Sequence, residues 1–296
     1  MLIQKKIFYL FEYSLIYIFC LFCRLFSLKT ASAIGGGVGR ILLKFVRNGV
    51  KQKNLAQAIP NLDKKTEHDI LQKCDENFGR NFVEYFFLDR LNEESDLKVT
   101  IKTPEIIEHS QQNDRPKIVI TAHYGNWEIA LWAMGQAGIS LNPIYRQMNN
   151  PYVNEMILKL RSHITEHQIK KGSTAGKDSL RILRQGKNLV LLVDQKMNEG
   201  VAVPFFGKDA MTPSGVIKLA LLSNAEIIPA RIIRKNSIDF DIFLEPPIEY
   251  DKSSPTVTYD TLLKINQTLE KWILDKPEQW FWFHRRWEKP FYQKQD

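Results

Sequence analysis

A histidine and a carboxylate follow an apolar run directly, and their types and spacing fit an acid–base pair. The run 118–122 (Ile-Val-Ile-Thr-Ala) ends at His123, and Glu128 follows after Tyr-Gly-Asn-Trp. An imidazole can take a proton from a hydroxyl at neutral pH when a second group fixes its tautomer and balances its charge. We therefore predict that His123 is a general base and that Glu128 orients it. The alternative is a strand-end histidine bonded to backbone, beside a glutamate that favours a helix N-terminus.

The elements that position this pair can be predicted from the same stretch. The β-branched run indicates a buried strand, Gly125-Asn126 indicates a turn, and residues 127–136 indicate a helix. His123 would then lie at the carboxyl end of a strand, which is where open α/β sheets bind their ligands.

Strand-like runs alternate with helical stretches along the rest of the chain. The strand-like runs are 117–121, 140–145, 188–193, 226–232 and 239–244, and the helical stretches include 50–91, 178–185 and 259–275. This alternation predicts an α/β fold in which a mixed sheet is flanked by helices on both faces.

Two more charged residues come at the ends of predicted strands. Arg146 follows the run that ends at Tyr145, and Asp194 follows the run 189–193. A guanidinium offers a planar fork to phosphate or carboxylate, although Arg146 could also be a surface arginine paired with an acid. Asp194 could position an incoming hydroxyl, orient an arginine or cap a turn.

The amino-terminal segment 7–23 is almost wholly apolar and aromatic, with basic residues on both sides. A full membrane span needs about 20 apolar residues, so the segment could cross a membrane or lie in its interface. We predict a membrane anchor at 1–29 and a catalytic domain at 30–296, and the basic residues after the anchor favour a cytoplasmic catalytic domain. Cleavage of a signal peptide after Ala31-Ser32-Ala33 is the alternative, but Arg24 and Lys29 argue against it.

Composition restricts the partners and excludes some chemistry. The 41 basic and 33 acidic residues give a net charge of +8, which suits anionic lipid headgroups, phosphorylated glycolipids or an acidic protein. Nucleic acid is a weaker option because no nucleic-acid-binding motif accompanies the charge. The three cysteines fit a reducing compartment, and the histidines lack zinc-ligand spacing, so we predict neither a metal nor a cofactor.

Five blocks of the chain resemble one enzyme family. Residues 123–128 resemble the His-x4-Glu signature of the lipid A late acyltransferases, which are lysophospholipid acyltransferase-like and related to the glycerol-3-phosphate acyltransferases with their His-x4-Asp motif. The other blocks match in order at 144–146 (Ile-Tyr-Arg), 193–195 (Val-Asp-Gln), 203–207 (Val-Pro-Phe-Phe-Gly) and 277–287. A single His-x4-Glu is a weak signal, whereas five ordered blocks are a strong one.

The resemblance implies a membrane-associated acyltransferase with a glycerol-3-phosphate acyltransferase-like fold. It would move a fatty acyl chain from acyl carrier protein to a hydroxyl of a lipid A precursor, at the bacterial inner membrane with its catalytic domain facing the cytoplasm. His123 and Glu128 would be catalytic, and Arg146, Arg161 and Asp194 would bind substrate. Arg146, Arg161 or backbone N–H groups near Gly125 are the options for stabilising the oxyanion.

Other lipid-related functions are compatible with the same residues, and two aromatic segments suggest where lipid would bind. The chain could acylate another phospholipid or glycolipid, hydrolyse a lipid, or bind lipid without activity, although Glu128 in place of Asp favours a glycolipid acceptor. Phe205-Phe206-Gly207 resembles an apolar wall for an acyl chain. The aromatic segment 279–287 resembles a site where an acyl chain meets headgroups.

Overall fold

The computed structural model describes residues 2–293 of the chain. The helices are α1 (Leu2–Cys23), α2 (Leu28–Leu42), α3 (Asn48–Ala58), α4 (Lys64–Glu84), α5 (Pro104–Gln111), α6 (Trp127–Gln136), α7 (Pro151–Arg161), α8 (Ala175–Arg184), α9 (Gly215–Ser223), α10 (Val257–Asp275) and α11 (Lys289–Tyr292). The strands are β1 (Lys98–Ile101), β2 (Lys117–Thr121), β3 (Leu141–Tyr145), β4 (Ile169–Lys170), β5 (Asn188–Leu192), β6 (Val201–Phe205), β7 (Lys208–Thr212), β8 (Glu226–Asn236) and β9 (Asp239–Leu244).

The main sheet is mixed, as predicted. Its strand order is β1-β9-β8-β2-β5-β3-β4, and the pairs are parallel except for β8 with β9. β2 therefore lies inside the sheet, between β8 and β5. Because β2, β5 and β3 are parallel, their carboxyl ends lie at one edge.

Helices cover this sheet on both faces, which the burial of β2 demonstrates. All five β2 residues are buried, and successive side chains of a strand point to opposite faces. Ile118 and Ile120 join a core with residues of α8, α9 and α10. Val119 joins a second core with residues of α2, α6 and the end of α1. The α/β prediction is confirmed.

α4 packs closely against α2 through glycines, which sets the position of α4 beside the sheet edge. A Cβ atom added to Gly39 would lie 2.4 Å from the carbonyl oxygen of Asp75, and one added to Gly79 would lie 2.2 Å from that of Gly35. No real side chain tolerates such distances, so only glycine permits this approach. Ser32 on α2 is buried at the same contact and hydrogen-bonds to Glu84 of α4 (2.6 Å).

α1 extends the fold with a largely exposed apolar helix. Its segment Gln4–Cys23 is long and apolar enough to cross a membrane, and little of it is buried against the rest of the protein. The carboxyl end is docked, since Cys23 is fully buried and Arg24 pairs with Asp89 (2.8 Å). Its exposed apolar side chains are Ile7, Phe8, Leu10, Phe11, Leu15, Tyr17, Ile18, Leu21 and Phe22.

The structure corrects part of two predictions about aromatic residues. Phe205 ends β6 of the β6–β7 hairpin and is fully buried, with its ring centroid 5.8 Å from those of Trp280 and Trp287, so it is core rather than a wall for an acyl chain. Within 279–287, Trp280, Trp282 and Trp287 are at most 2% exposed. These three tryptophans belong to the core and cannot meet lipid headgroups, whereas Phe281 is only partly buried and Arg285 is exposed.

Candidate active site

His123 and Asp194 meet at the carboxyl edge of the sheet. Thr121 of β2 lies opposite Leu192 of β5 in the parallel register. Two residues beyond each position, the chain reaches His123 and Asp194, so the register places these side chains opposite each other. Asp194 Oδ1 is 2.8 Å from His123 Nδ1, and its Oδ2 accepts from the backbone N–H of His123 at 3.0 Å.

This contact fixes the tautomer of the imidazole. A carboxylate only accepts hydrogen bonds, so the shared hydrogen is on His123 Nδ1 and the lone pair is on Nε2. Trp280 Nε1 donates to Asp194 Oδ2 at 2.9 Å and holds the carboxylate from behind. Burial opposes ionisation of Asp194, but His123 and these hydrogen bonds outweigh it and lower the pKa of the carboxyl below its ordinary value. Asp194 is therefore an ionised, positioned partner for the base.

The pair opens to the surface through the histidine. The His123 side chain is 21% exposed and that of Asp194 is 3% exposed. The amide nitrogen of Gln195 lies 3.4 Å from Nε2, and the ring centroids of Trp127 and Phe281 lie 5.0 Å and 5.8 Å from that of the imidazole. A reacting hydroxyl would therefore reach Nε2 beside an amide and two aromatic rings.

Glu128 does not orient His123, so the predicted pairing is wrong. Glu128 lies in the first turn of α6, beyond the turn at Gly125, and it contacts α7 and the end of α4 instead. Its Oε2 accepts from Arg161 Nε at 3.0 Å, and its Oε1 accepts from Nη2 on the same edge of the guanidinium at 2.6 Å. The Tyr85 hydroxyl also donates to Oε1. The bidentate geometry is that of a strong ion pair.

The Glu128–Arg161 pair is buried. The two side chains are 5% and 12% exposed, and the Tyr85 ring lies 5.5 Å from the guanidinium carbon. Burial works against the charge of Arg161, but Glu128 and Tyr85 keep its pKa above the ordinary value. Arg161, predicted to bind substrate, therefore joins α7 to α6 through its Nε and Nη2 atoms, which donate to Glu128 and Tyr85.

A second buried ion pair fixes the turn that follows the base. Glu84 of α4 accepts from both terminal nitrogens of Arg234 on β8, at 2.6 and 2.8 Å. Asn126 donates to Glu84 and caps α6 by accepting from the N–H groups of Glu128 and Ile129, both at 3.1 Å. The carboxylate is fully buried; burial opposes its ionisation, yet Arg234 lowers its pKa below the ordinary value.

The turn itself needs glycine. Gly125 has φ +57°, and a Cβ atom there would lie 2.1 Å from the carbonyl oxygen of Ile232. Its carbonyl accepts from the side-chain amides of Asn77 and Asn81, and its N–H donates to the carbonyl of Gln279 at 3.0 Å. This N–H is therefore occupied by Gln279 and is not available as an oxyanion donor.

Arg146 lies at the predicted edge but away from the base. It follows β3, which is separated from β2 by β5, and its side chain is exposed. Among the contacts of residues 2–293, it makes no hydrogen bond or ion pair with His123, Asp194 or Glu128. In the same part of the chain, no three His, Cys, Asp or Glu side chains are grouped to hold a metal ion.

Known proteins resemble this chain over nearly its whole length. The sequence profile of the bacterial lipid A biosynthesis acyltransferases matches residues 3–289. The chain belongs to this family. It is 24% identical over 268 residues to the lipid A biosynthesis lauroyltransferase of Escherichia coli (strain K12), covering 86% of this chain and 84% of that protein.

Two further relatives have related names. The chain is 23% identical over 262 residues to the lipid A biosynthesis palmitoleoyltransferase of Escherichia coli (strain K12) and to a lipid A biosynthesis acyltransferase of Shigella flexneri. Each match covers 86% of this chain and 82% of the relative. The predicted family is thereby confirmed, and with it acyl transfer in lipid A biosynthesis as the activity class.

Three residues of this family member's site were missed in the sequence: Glu84, Tyr85 and Arg234. Glu84 interrupts the aromatic stretch 82–87 (Phe-Val-Glu-Tyr-Phe-Phe), and a carboxylate in such a stretch is a signal of a buried ion pair. Arg234 carries no comparable signal, because it lies near the end of a long strand where charged residues are common.

His284 gives a testable pH dependence of stability. Its Nε2 accepts from the backbone N–H of Lys196 at 3.1 Å, and burial lowers the pKa of His284 from 6.5 to about 4. Between these values the unfolded chain binds the proton and the folded chain does not, so stability falls as the pH drops from 6.5 to 4. We expect His284→Gln to flatten the decline in melting temperature across this window, whereas the exposed-site control His109→Gln keeps the wild-type decline. Equal declines in all three proteins would contradict the assignment.

Proposed function

We propose that this chain transfers a fatty acyl group from the thioester of acyl carrier protein to a hydroxyl of a lipid A precursor. The observation that carries the proposal is the contact of His123 Nδ1 with the ionised carboxylate of Asp194, which leaves Nε2 free to accept a proton. The family to which the chain belongs supports the class of acceptor.

In the proposed reaction both substrates meet in one ternary complex. His123 Nε2 takes the proton of the acceptor hydroxyl while the hydroxyl oxygen attacks the thioester carbonyl carbon. Asp194 stabilises the imidazolium that forms. When the tetrahedral intermediate collapses, the carbon–sulfur bond breaks and the imidazolium returns the proton to the departing thiolate, so no acyl-enzyme is formed.

The other site residues have separate proposed roles. Asp194 positions the base, instead of binding substrate. Glu128 and Arg161 hold α6 and α7 in place beside the base, and the exposed Arg146 remains available to bind substrate. The amide of Gln195, 3.4 Å from Nε2, is a suitable donor to the oxyanion.

An aromatic surface beside the base supports binding of an acyl chain. The ring centroids of Phe78, Phe281 and Phe283 lie 5.0 to 5.6 Å apart, and Phe281 also packs on His123. Phe78 and Phe281 are only partly buried, so they present apolar surface next to the reacting nitrogen.

The exposed apolar face of α1 supports anchoring of the enzyme at the bacterial inner membrane. The polar groups of α1 contact the catalytic part of the chain. Asn150 at the start of α7 donates to the Tyr9 carbonyl at 2.8 Å and to the Glu12 carboxylate at 2.9 Å. Ala31 and Ser32 are buried inside α2, where signal-peptide cleavage would cut a packed helix. We propose that α1 is retained and that the catalytic domain faces the cytoplasm.

The proposed function is tested with purified protein, a lipid A precursor and three donor conditions. We expect acyl carrier protein thioester to add one acyl group to the precursor, detected by mass spectrometry, and acyl coenzyme A to react more slowly. Release of free fatty acid with no acylated precursor would indicate a hydrolase instead. A donor-free reaction is the control for carried-over lipid.

A further inference from the structure

A basic groove lies beside the candidate active site and has no role in the chemistry described above. It has a volume of about 370 Å³, and its lining includes Arg47, Lys196, Asn198, His284, Arg285 and Lys289. Lys196 directly follows Gln195, whose amide lies 3.4 Å from His123 Nε2. The groove therefore begins one residue from the side chain that contacts the base.

Hydrogen bonds hold the groove in shape. The Lys196 backbone N–H donates to His284 Nε2, and the guanidinium of Arg47 donates to the Phe283 carbonyl at 3.2 Å. The buried amide of Asn54 donates to the His284 carbonyl at 2.7 Å. These bonds join three separate segments of the chain, so the cations are presented on a fixed frame.

The charges in the groove are weakly compensated. Lys196 pairs with Glu288 at 2.8 Å and is 15% exposed. Within residues 2–293, Arg47, Arg285 and Lys289 form no ion pair with a carboxylate. Four cations against one carboxylate at the rim of a groove will attract a small, multiply charged anion.

We propose that this groove binds a phosphate monoester on the acceptor lipid, and this inference rests on the proposed function. The groove volume of about 370 Å³ falls within the range of small-molecule sites. A phosphate monoester carries about −1.5 to −2 charge at pH 7 and three acceptor oxygens, which suits several converging cations better than a singly charged phosphodiester. Bound there, the phosphate would fix the acceptor with its hydroxyl near Nε2.

Kinetics with two acceptors test the proposal. The variants are Arg285→Gln and Lys196→Gln, with the exposed Lys177→Gln on α8 as the matched control. Because a hydrogen bond to a charged group contributes about 1.5 to 3 kcal/mol, we expect each groove variant to raise the KM for the phosphorylated acceptor roughly tenfold or more. The kcat and the KM for an enzymatically dephosphorylated acceptor should change by less than about twofold, and Lys177→Gln should behave as wild type.

Three results would overturn the assignment. An unchanged acceptor KM in an active enzyme would remove the groove from substrate binding while leaving the proposed function intact. An equal rise in KM for the phosphorylated and the dephosphorylated acceptor would show that the cations do not bind the phosphate. A rise in the KM for the acyl donor alone would assign the groove to the donor.

A binding measurement separates the groove from the function. If the wild-type protein transfers no acyl group, the proposed function fails, and titration with inorganic phosphate then tests the groove alone. We expect calorimetric binding to wild-type protein that is weakened in the Arg285→Gln and Lys196→Gln double variant. Equal affinities would reject the anion site.

Discussion

Replacing His123 by alanine is expected to lower the kcat for acyl transfer by about 10² to 10⁴, the usual contribution of a general base. The change also leaves the 3% exposed Asp194 carboxylate without the imidazole that it contacts, so turnover is measured at a temperature at which circular dichroism shows the variant to be folded. His109→Ala, at a site where the side chain is 53% exposed, is the matched control and should retain wild-type turnover. Turnover of His123→Ala within tenfold of wild type would remove the base from the mechanism.

Replacing Glu128 by alanine is expected to act mainly on stability. The change leaves the 12% exposed Arg161 side chain charged and without its carboxylate, and breaking a buried pair in this way costs about 3 to 5 kcal/mol. We expect the melting temperature in detergent to fall by roughly 10 °C.

A double variant separates this effect from chemistry. Glu128→Leu combined with Arg161→Met removes both charges and should recover most of the lost stability, because apolar residues of similar volume often replace a buried ion pair at little cost. If the Glu128→Ala protein had the wild-type melting temperature but no turnover, Glu128 would instead have a role in catalysis.

Local patterns were sufficient to predict the sheet edge at which the candidate site lies. The apolar runs before His123, Arg146 and Asp194 are β2, β3 and β5, and their parallel pairing follows from the helices between them. A strand-end residue is visible in sequence because the apolar run stops there.

The partner of His123 could not be predicted from local patterns. Two carboxylates were available, Glu128 at five positions away and Asp194 at 71 positions away. The choice depends on the register of β2 against β5 and on the turn at Gly125, after which the Glu128 side chain contacts Arg161 and Tyr85 instead of His123. Both are consequences of tertiary packing.

The three tryptophans of the segment 279–287 were misinterpreted for a similar reason. Tryptophans beside arginines occur both at membrane interfaces and in cores. The β6–β7 hairpin that covers them turns at Phe206 and Gly207, where both residues have positive φ (50° and 71°). A phenylalanine in this conformation gives no turn signal, so the hairpin was missed and its covering role with it.

The central claim is that Asp194 acts in catalysis through His123, and a double-mutant cycle of turnover tests it most directly. We expect Asp194→Asn, which keeps the shape of the side chain but loses its charge, to lower kcat at least a hundredfold in the wild-type background. Because residues that act as a unit are not additive, the same change in the His123→Ala background should lower kcat by less than about threefold. An equal loss in both backgrounds would show that Asp194 acts independently of His123 and would contradict the assignment.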